Sequence, residues 1–418
     1  MCASQKGPAF CKDCGHELFL SCPVFHMTRL HPFKGLRYPR STDPTLVTAP
    51  PYDVLDDEEA RRFATAHPNN IVRVDLPSAI HREADPYRVA AGLLAEWVES
   101  GSLVRDADPT LTVHEMRYSD PSGRHRRTIG VIGAVEIQPE DGLAPLPHEH
   151  TTPKAAGDRL RLLRATASNL SAIWLLSTAS GLADLLEAAT AAADPWWEWE
   201  DQMGVHHRVH VLEENSIHEK VSSLVAGAPV LIADGHHRFE TARIYRDARR
   251  TESGPGPWDL VMAYVVELAE EELSVGPIHR LVWAQPTVGG LDALVSRLRE
   301  YYAVEERSDR STPRPPALVT HDRHFLLTPL ERGDLDLDLD TRRFELAASP
   351  LGLRVEFEPS AERATSLAHT RKCDAAFLCR PPEVSVIRSV AEGAGLMPAK
   401  STFFWPKPPT GIVIRPLD

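Results

Sequence analysis

Pro229-Val-Leu-Ile-Ala-Asp-Gly-His-His-Arg-Phe-Glu-Thr-Ala242 passes from a short apolar run, Val230 to Ala233, through Asp234-Gly235 into a helical pattern starting near His236. The order implied is strand, tight turn, helix. The charges at the turn are unusual. A helix N-terminus carries partial positive charge and unpaired N–H donors, so acids suit its first turn and cations do not. Here the first turn holds His236, His237 and Arg238. A bound anion removes the conflict, because donors, dipole and guanidinium then face one negative group, and phosphate is the expected one. The alternative is that Asp234 caps the helix, Arg238 pairs with it or another acid, and the histidines are polar surface. Because strand–glycine-turn–helix corners commonly bind ligands in α/β proteins, Gly235, His236 and Arg238 are read as phosphate-binding.

The chain has 418 residues, room for two or three cores of about 100–200 residues each. Its composition is that of a soluble globular protein, and 46 Lys and Arg against 59 Asp and Glu leave a net charge of −13. So acidic a chain is poorly suited to nucleic acid, which needs a basic face. No apolar run reaches the roughly 18 residues of a membrane helix, and the start lacks the charged-then-apolar pattern of a secretory signal. A cytoplasmic protein without a membrane partner is expected. Of the six cysteines, Cys2, Cys11, Cys14 and Cys22 fall at the start. Cys11-Lys-Asp-Cys14-Gly15 has the form of a zinc knuckle, which Cys22 with Cys2 or His26 can complete as a structural zinc site. A leader ahead of Met27 is the competing reading. The expected division is a cysteine-rich extension (1–26), an N-terminal α/β lobe (27–200) and a C-terminal lobe holding the corner (201–418).

Elsewhere, Pro50-Pro51 fixes an extended path that presents Tyr52 and Asp53; Asp53 is either a site carboxylate or the start of the following helix. Asn70 to Leu76 alternates like a strand, with Arg73 and Asp75 on one side. Thr110–Tyr118 and Arg127–Glu136 read as a hairpin in which Gly130 and Gly133 allow close backbone approach. In Pro147-His-Glu-His-Thr-Thr-Pro-Lys154, Glu149 is the first choice of catalytic carboxylate, and the helix that follows places Lys154, Asp158 and Arg161 on one face. His206, His207 and His210 are expected to be exposed on a strand. Ser216-Ile-His-Glu219 reads as a capping box. His279 and Arg280 are further anion-binding candidates, and Lys400-Ser-Thr402 can close a phosphate site without being a P-loop.

Leu30-His-Pro-Phe-Lys-Gly-Leu-Arg37, Ala49-Pro-Pro-Tyr-Asp-Val-Leu55, the Pro147-His-Glu-His-Thr151 loop, Ala233-Asp-Gly-His-His-Arg238 and Lys400-Ser-Thr-Phe-Phe-Trp-Pro-Lys407 occur in this order. Together they resemble the domain-of-unknown-function 1015 family from about Met27 to Asp418, the first 26 residues departing from it. Asp234-Gly-His-His-Arg238 with its helix also looks like the nucleotide-binding corner of the ParB/sulfiredoxin-like superfamily, which includes kinases of free serine. The resemblance implies a mixed α/β (α+β) fold of mixed sheets and helices, with such a core embedded in a larger two-lobed chain.

The implied activity is a nucleotide-dependent phosphotransferase on a small hydroxylated metabolite, free serine or a similar amino acid, using ATP or ADP with Mg²⁺. Gly235, His236, His237 and Arg238 would cradle phosphates, with Lys154, Arg161 or Lys400 adding positive charge. Glu149 or Asp234 would take the hydroxyl proton, with His237 beside them. Two other readings stay open. One is a metal-dependent hydrolase or lyase with His148, His150, Asp234, His236 and His237 as ligands. The other is a module that binds a nucleotide or phosphometabolite without turnover. A homo-oligomer is also left open.

Overall fold

The computed structural model describes residues 26–120, 123–140, 142–149, 156–283, 290–308, 313–331, 333, 335, 338–393 and 395–418. Cys11, Cys14 and Cys22 of the expected zinc knuckle, and His150 and Lys154, lie outside these residues. The fold is mixed α/β, built on two sheets.

The run that opens the corner forms the strand Val230–Asp234. Leu231 and Ala233 face one hydrophobic cluster, and Val230 and Ile232 face another. Its neighbour Ile173–Ser177 divides in the same way, Trp174 and Leu176 to the first cluster, Ile173 and Leu175 to the second. A strand covered on both faces needs apolar side chains throughout, which is why these segments read as unbroken runs. They belong to a nine-stranded sheet whose order is Trp197–Glu200, His206–Leu212, Leu111–Ser119, His125–Glu136, Leu260–Glu267, Ile173–Ser177, Val230–Asp234 and Leu146–Pro147, with Leu30–His31 paired to His125–Glu136. Ile173–Ser177 runs parallel to Leu260–Glu267 and antiparallel to Val230–Asp234, so the sheet is mixed. Val221 and Val225 of the helix Asn215–Ala226 and Ala242 of the helix His236–Ser253 cover one face. Leu94 and Trp97 of the helix Pro86–Glu99 cover the other, together with Ile412, Val413 and Ile414.

A six-stranded antiparallel sheet follows, in the order Tyr302–Arg307, His324–Pro329, Ala317–Val319, Ala375–Leu378, His279–Trp283, Arg354–Glu358. Strands from both sides of residue 200 pair within the larger sheet, so a boundary at 200/201 falls inside a sheet. We propose a smaller lobe of residues 279–378 set on a larger one.

The hairpin forms as expected, and its glycines are explained by contact. A Cβ on Gly130 would stand 2.5 Å from Cε2 of Tyr264 and 2.7 Å from the Val265 carbonyl oxygen. Gly130→Ala should therefore cost about 1–3 kcal/mol through overpacking. Urea unfolding will show it as a lower midpoint at unchanged slope; an unmoved midpoint would mean the strands can separate.

Three expectations fail for local reasons. Asn70–Leu76 is not a strand: one-turn helices span Val72–Asp75 and Pro77–Ile80. The Asn70 side-chain Oδ1 accepts the Val72 N–H at 3.0 Å while its Nδ2 donates to the Leu46 and Thr48 carbonyls, which bends the chain into a turn. The helix expected to be capped by Ser216 starts at Asn215 after Glu214, with no side-chain cap. His207 and His210 are buried, not exposed, while His206 is half-buried; His207 sits between Asp201 at 3.1 Å and His114 at 3.0 Å.

Candidate functional site

Gly235 forms the turn with a left-handed φ of 92° and is the N-cap of the helix His236–Ser253. A non-glycine residue is strained there, and a Cβ would lie 3.0 Å from Ile173 and 3.1 Å from the Arg238 guanidinium. No side chain caps the helix and no acid occupies its first turn. Its leading N–H groups are thus left for solvent or a ligand.

Asp234 does not cap the helix. Its carboxylate accepts from Arg238 Nη2 at 2.6 Å and meets Lys407 Nζ at 2.7 Å. Arg238 also donates to the Ala172 carbonyl at 2.5 Å, and Lys407 to Asp53 at 2.5 Å. Arg238 is therefore committed to the protein, because the four-residue spacing from Asp234 brings its guanidinium back over the turn. Asp53 does not start the next helix, which Asp56 caps with Glu59 in a capping box; the Asp53 carboxylate accepts from Lys407 beside the turn. Burial raises the Asp234 pKa, but Lys407 and Arg238 outweigh it and hold the carboxyl well below the ordinary range. Beside this pair the Tyr52 ring lies 4.3 Å from the Arg159 guanidinium and 5.8 Å from that of Arg238. Arg159 in turn binds the buried Asp75 at 3.0 Å.

The opposite rim comes from the His148-Glu149 loop and the C-terminal segment. His148 Nδ1 donates to the Ile232 carbonyl at 2.5 Å, and Nε2 accepts the Thr402 hydroxyl at 2.7 Å. Burial lowers the pKa of this ring, which matches a neutral tautomer. Glu149 accepts the Ser401 N–H at 3.0 Å, and Met397 N–H donates to the His148 carbonyl at 3.0 Å. The His236 ring sits 5.2 Å from that of His148. Burial, with His148 as the next influence, pulls its pKa down to about 3. His236 is therefore neutral at physiological pH and adds no charge to the turn. His237 is half-buried beside it. Lys400, with a left-handed φ of 57°, is exposed and close enough to act electrostatically on both Asp234 and His236. Among the described residues it has no ion-pair partner.

Glu149, Asp234, Gly235, His236, Arg238 and Lys400 thus gather at one corner, which Tyr52, Asp53 and Lys407 also reach. Arg161 does not. It is exposed and its guanidinium lies 5.6 Å from the Tyr87 ring, whose hydroxyl donates to Asp158 at 2.6 Å. Asp158 and Arg161 do share a face, but that face meets Tyr87. Arg159, two residues before Arg161, points the other way and is the arginine this helix gives to the corner. Lys407 was not anticipated; its place between Pro406 and Pro408, which fix its path, was the available signal.

The family described as a protein of unknown function, DUF1015, matches residues 30–351. The chain belongs to that family. This DUF1015 protein is also similar to a conserved hypothetical protein from Pyrococcus furiosus, 12% identical with a TM-score of 0.36, covering 65% of this chain and 91% of that one. It is similar to a free serine kinase variant in complex with ADP, 13% identical with a TM-score of 0.35, over 67% and 89% of the two chains. C-terminally truncated SbnI from Staphylococcus aureus is 12% identical with a TM-score of 0.34, over 65% and 82%. No curated protein matches the DUF1015 chain.

In this DUF1015 protein no group of three or more His, Cys, Asp or Glu among the described residues is placed to hold a metal ion. His148, expected as a ligand in the metal reading, has both ring nitrogens engaged by Ile232 and Thr402. No helix among the described residues is long and apolar enough to cross a membrane.

Proposed function

We propose that the corner binds the phosphates of a nucleotide, ATP or ADP, and transfers a phosphoryl group to a small hydroxylated metabolite, free serine or a similar amino acid. The observation that carries this reading is the uncapped start of the helix His236–Ser253 facing an exposed Lys400, with Glu149 fixed at the rim through Ser401. Helix amides and one free cation suit phosphate oxygens. Arg238 and Lys407, locked on Asp234 and Asp53, keep the turn rigid. Mg²⁺ would enter with the phosphates and offset their charge.

Glu149 accepts the proton of the substrate hydroxyl, whose oxygen attacks the terminal phosphorus while the bond to the bridging oxygen breaks and the shorter nucleotide leaves. Asp234 is the poorer proton acceptor of the two, since both cations stabilise its charged form. His237 remains available to the substrate. ³¹P NMR of the protein with Mg²⁺, ATP or ADP, and serine tests this. A phosphomonoester resonance is the expected result. A nucleotide that binds without any acceptor being phosphorylated would replace transfer with binding alone.

A further inference from the structure

Arg280, on the strand His279–Trp283 next to the edge of the smaller sheet, is 3% exposed. Burying a guanidinium is costly unless a carboxylate compensates it. Among the described residues Arg280 has no carboxylate within ion-pair reach; its hydrogen bonds go to the carbonyls of Ile278 at 2.8 Å, Lys400 at 2.8 Å and Ala399 at 3.1 Å. Burial accordingly holds it below the ordinary arginine range. Arg415 is also satisfied by backbone carbonyls, at 2.9 Å to Leu260 and 2.7 Å to Pro257, with Asn169 beside it at 3.2 Å. The difference is that Arg280 opens onto a cleft.

That cleft, of about 350 Å³, lies between the helix Asp340–Ala348, the edge strand Arg354–Glu358 and the turn at Pro398-Ala399. Its size is within the range of small-molecule sites. Phe344, Leu353 and Phe357 give it an apolar wall. Phe357 is 42% exposed although its ring lies 4.9 Å from the Arg280 guanidinium, a large apolar surface left open where an amphipathic molecule would cover it. The one acid on the lining, Glu345, is held by Arg342 at 3.0 Å.

We propose that this cleft binds a small monocarboxylate with an apolar body, its carboxylate on Arg280 and its body on Phe344, Leu353 and Phe357. A single cation matches a monoanion, and the Glu345 charge disfavours a dianion such as phosphate. Arginine's planar donors suit a carboxylate, which completes the compensation the carbonyls begin. The site stands on this geometry alone and not on the reading of the corner, although the guanidinium also holds the turn that carries Lys400.

Titration calorimetry of the full chain with 3-phenylpropanoate and with 3-phenylpropan-1-ol tests it on wild-type protein. The acid should bind at least roughly tenfold more tightly than the alcohol, about 1.4 kcal/mol. Ser349→Trp, at an exposed lining position, should fill the cleft and abolish binding, and Phe357→Ser should weaken it. Equal binding of acid and alcohol, no binding of the acid by wild type up to about 10 mM, or unchanged binding in folded Ser349→Trp overturns the proposal.

Discussion

Asp234→Ala is expected to destabilise the protein by about 3 kcal/mol, the lower end for breaking a buried ion pair by removing one partner. The lower end applies because 21% of the Asp234 side chain still reaches solvent, against 12% for each of Arg238 and Lys407. Without the carboxylate both cations stay in place, Arg238 held only by the Ala172 carbonyl and Lys407 only by Asp53. Chemical denaturation gives the number, and adding Lys407→Met to the same chain should recover part of it by removing one stranded charge. The loss should also depend on pH. Burial raises the Asp234 pKa, but Lys407 and Arg238 together lower it by more, so the folded value lies below the unfolded one. The carboxylate's contribution is then complete above an unfolded value of about 3.9 and is lost as pH falls through the folded one. Wild type and variant should converge in acid. A loss under about 1 kcal/mol at neutral pH would match an exposed ion pair and contradict the packing described.

Glu149→Gln should lower turnover by about 10²–10⁴-fold, the usual worth of a positioned general base, while leaving nucleotide affinity in place. The glutamine amide oxygen still accepts the Ser401 N–H that the carboxylate holds at 3.0 Å, so the loop and fold should survive. Rates of phosphomonoester formation beside a binding isotherm separate the two effects. Turnover within tenfold of wild type would move the proton acceptor elsewhere.

The corner was legible because its strand, glycine and helix are dictated locally: an apolar run buried on two faces, a residue tolerant of φ near 92°, and an amphipathic pattern after it. The hairpin with Gly130 was legible for the same kind of reason. What the corner's charges do was not, because their partners come from far along the chain. Lys407 reaches Asp234 across the molecule, and the pairing turns Arg238 from a free anion ligand into part of a closed ion network. The expectation for Arg161 failed on helix phase: Arg161 lies over the Tyr87 ring, and Arg159, two residues earlier, lies over Tyr52 instead. Asn70–Leu76 misled because its alternation is real, but the Asn70 side chain accepting the backbone N–H of Val72 sets the conformation.

The most direct test of the central claim is titration calorimetry of ADP with Mg²⁺ into wild type and Lys400→Ala. Lys400 is exposed and has no ion-pair partner among the described residues, so the substitution should remove charge from the corner without disturbing the network behind it. Binding by wild type that weakens at least roughly tenfold in the variant, about 1.4 kcal/mol, is the predicted result. No binding by wild type, or equal affinity in both proteins, would contradict a phosphate site at the start of this helix.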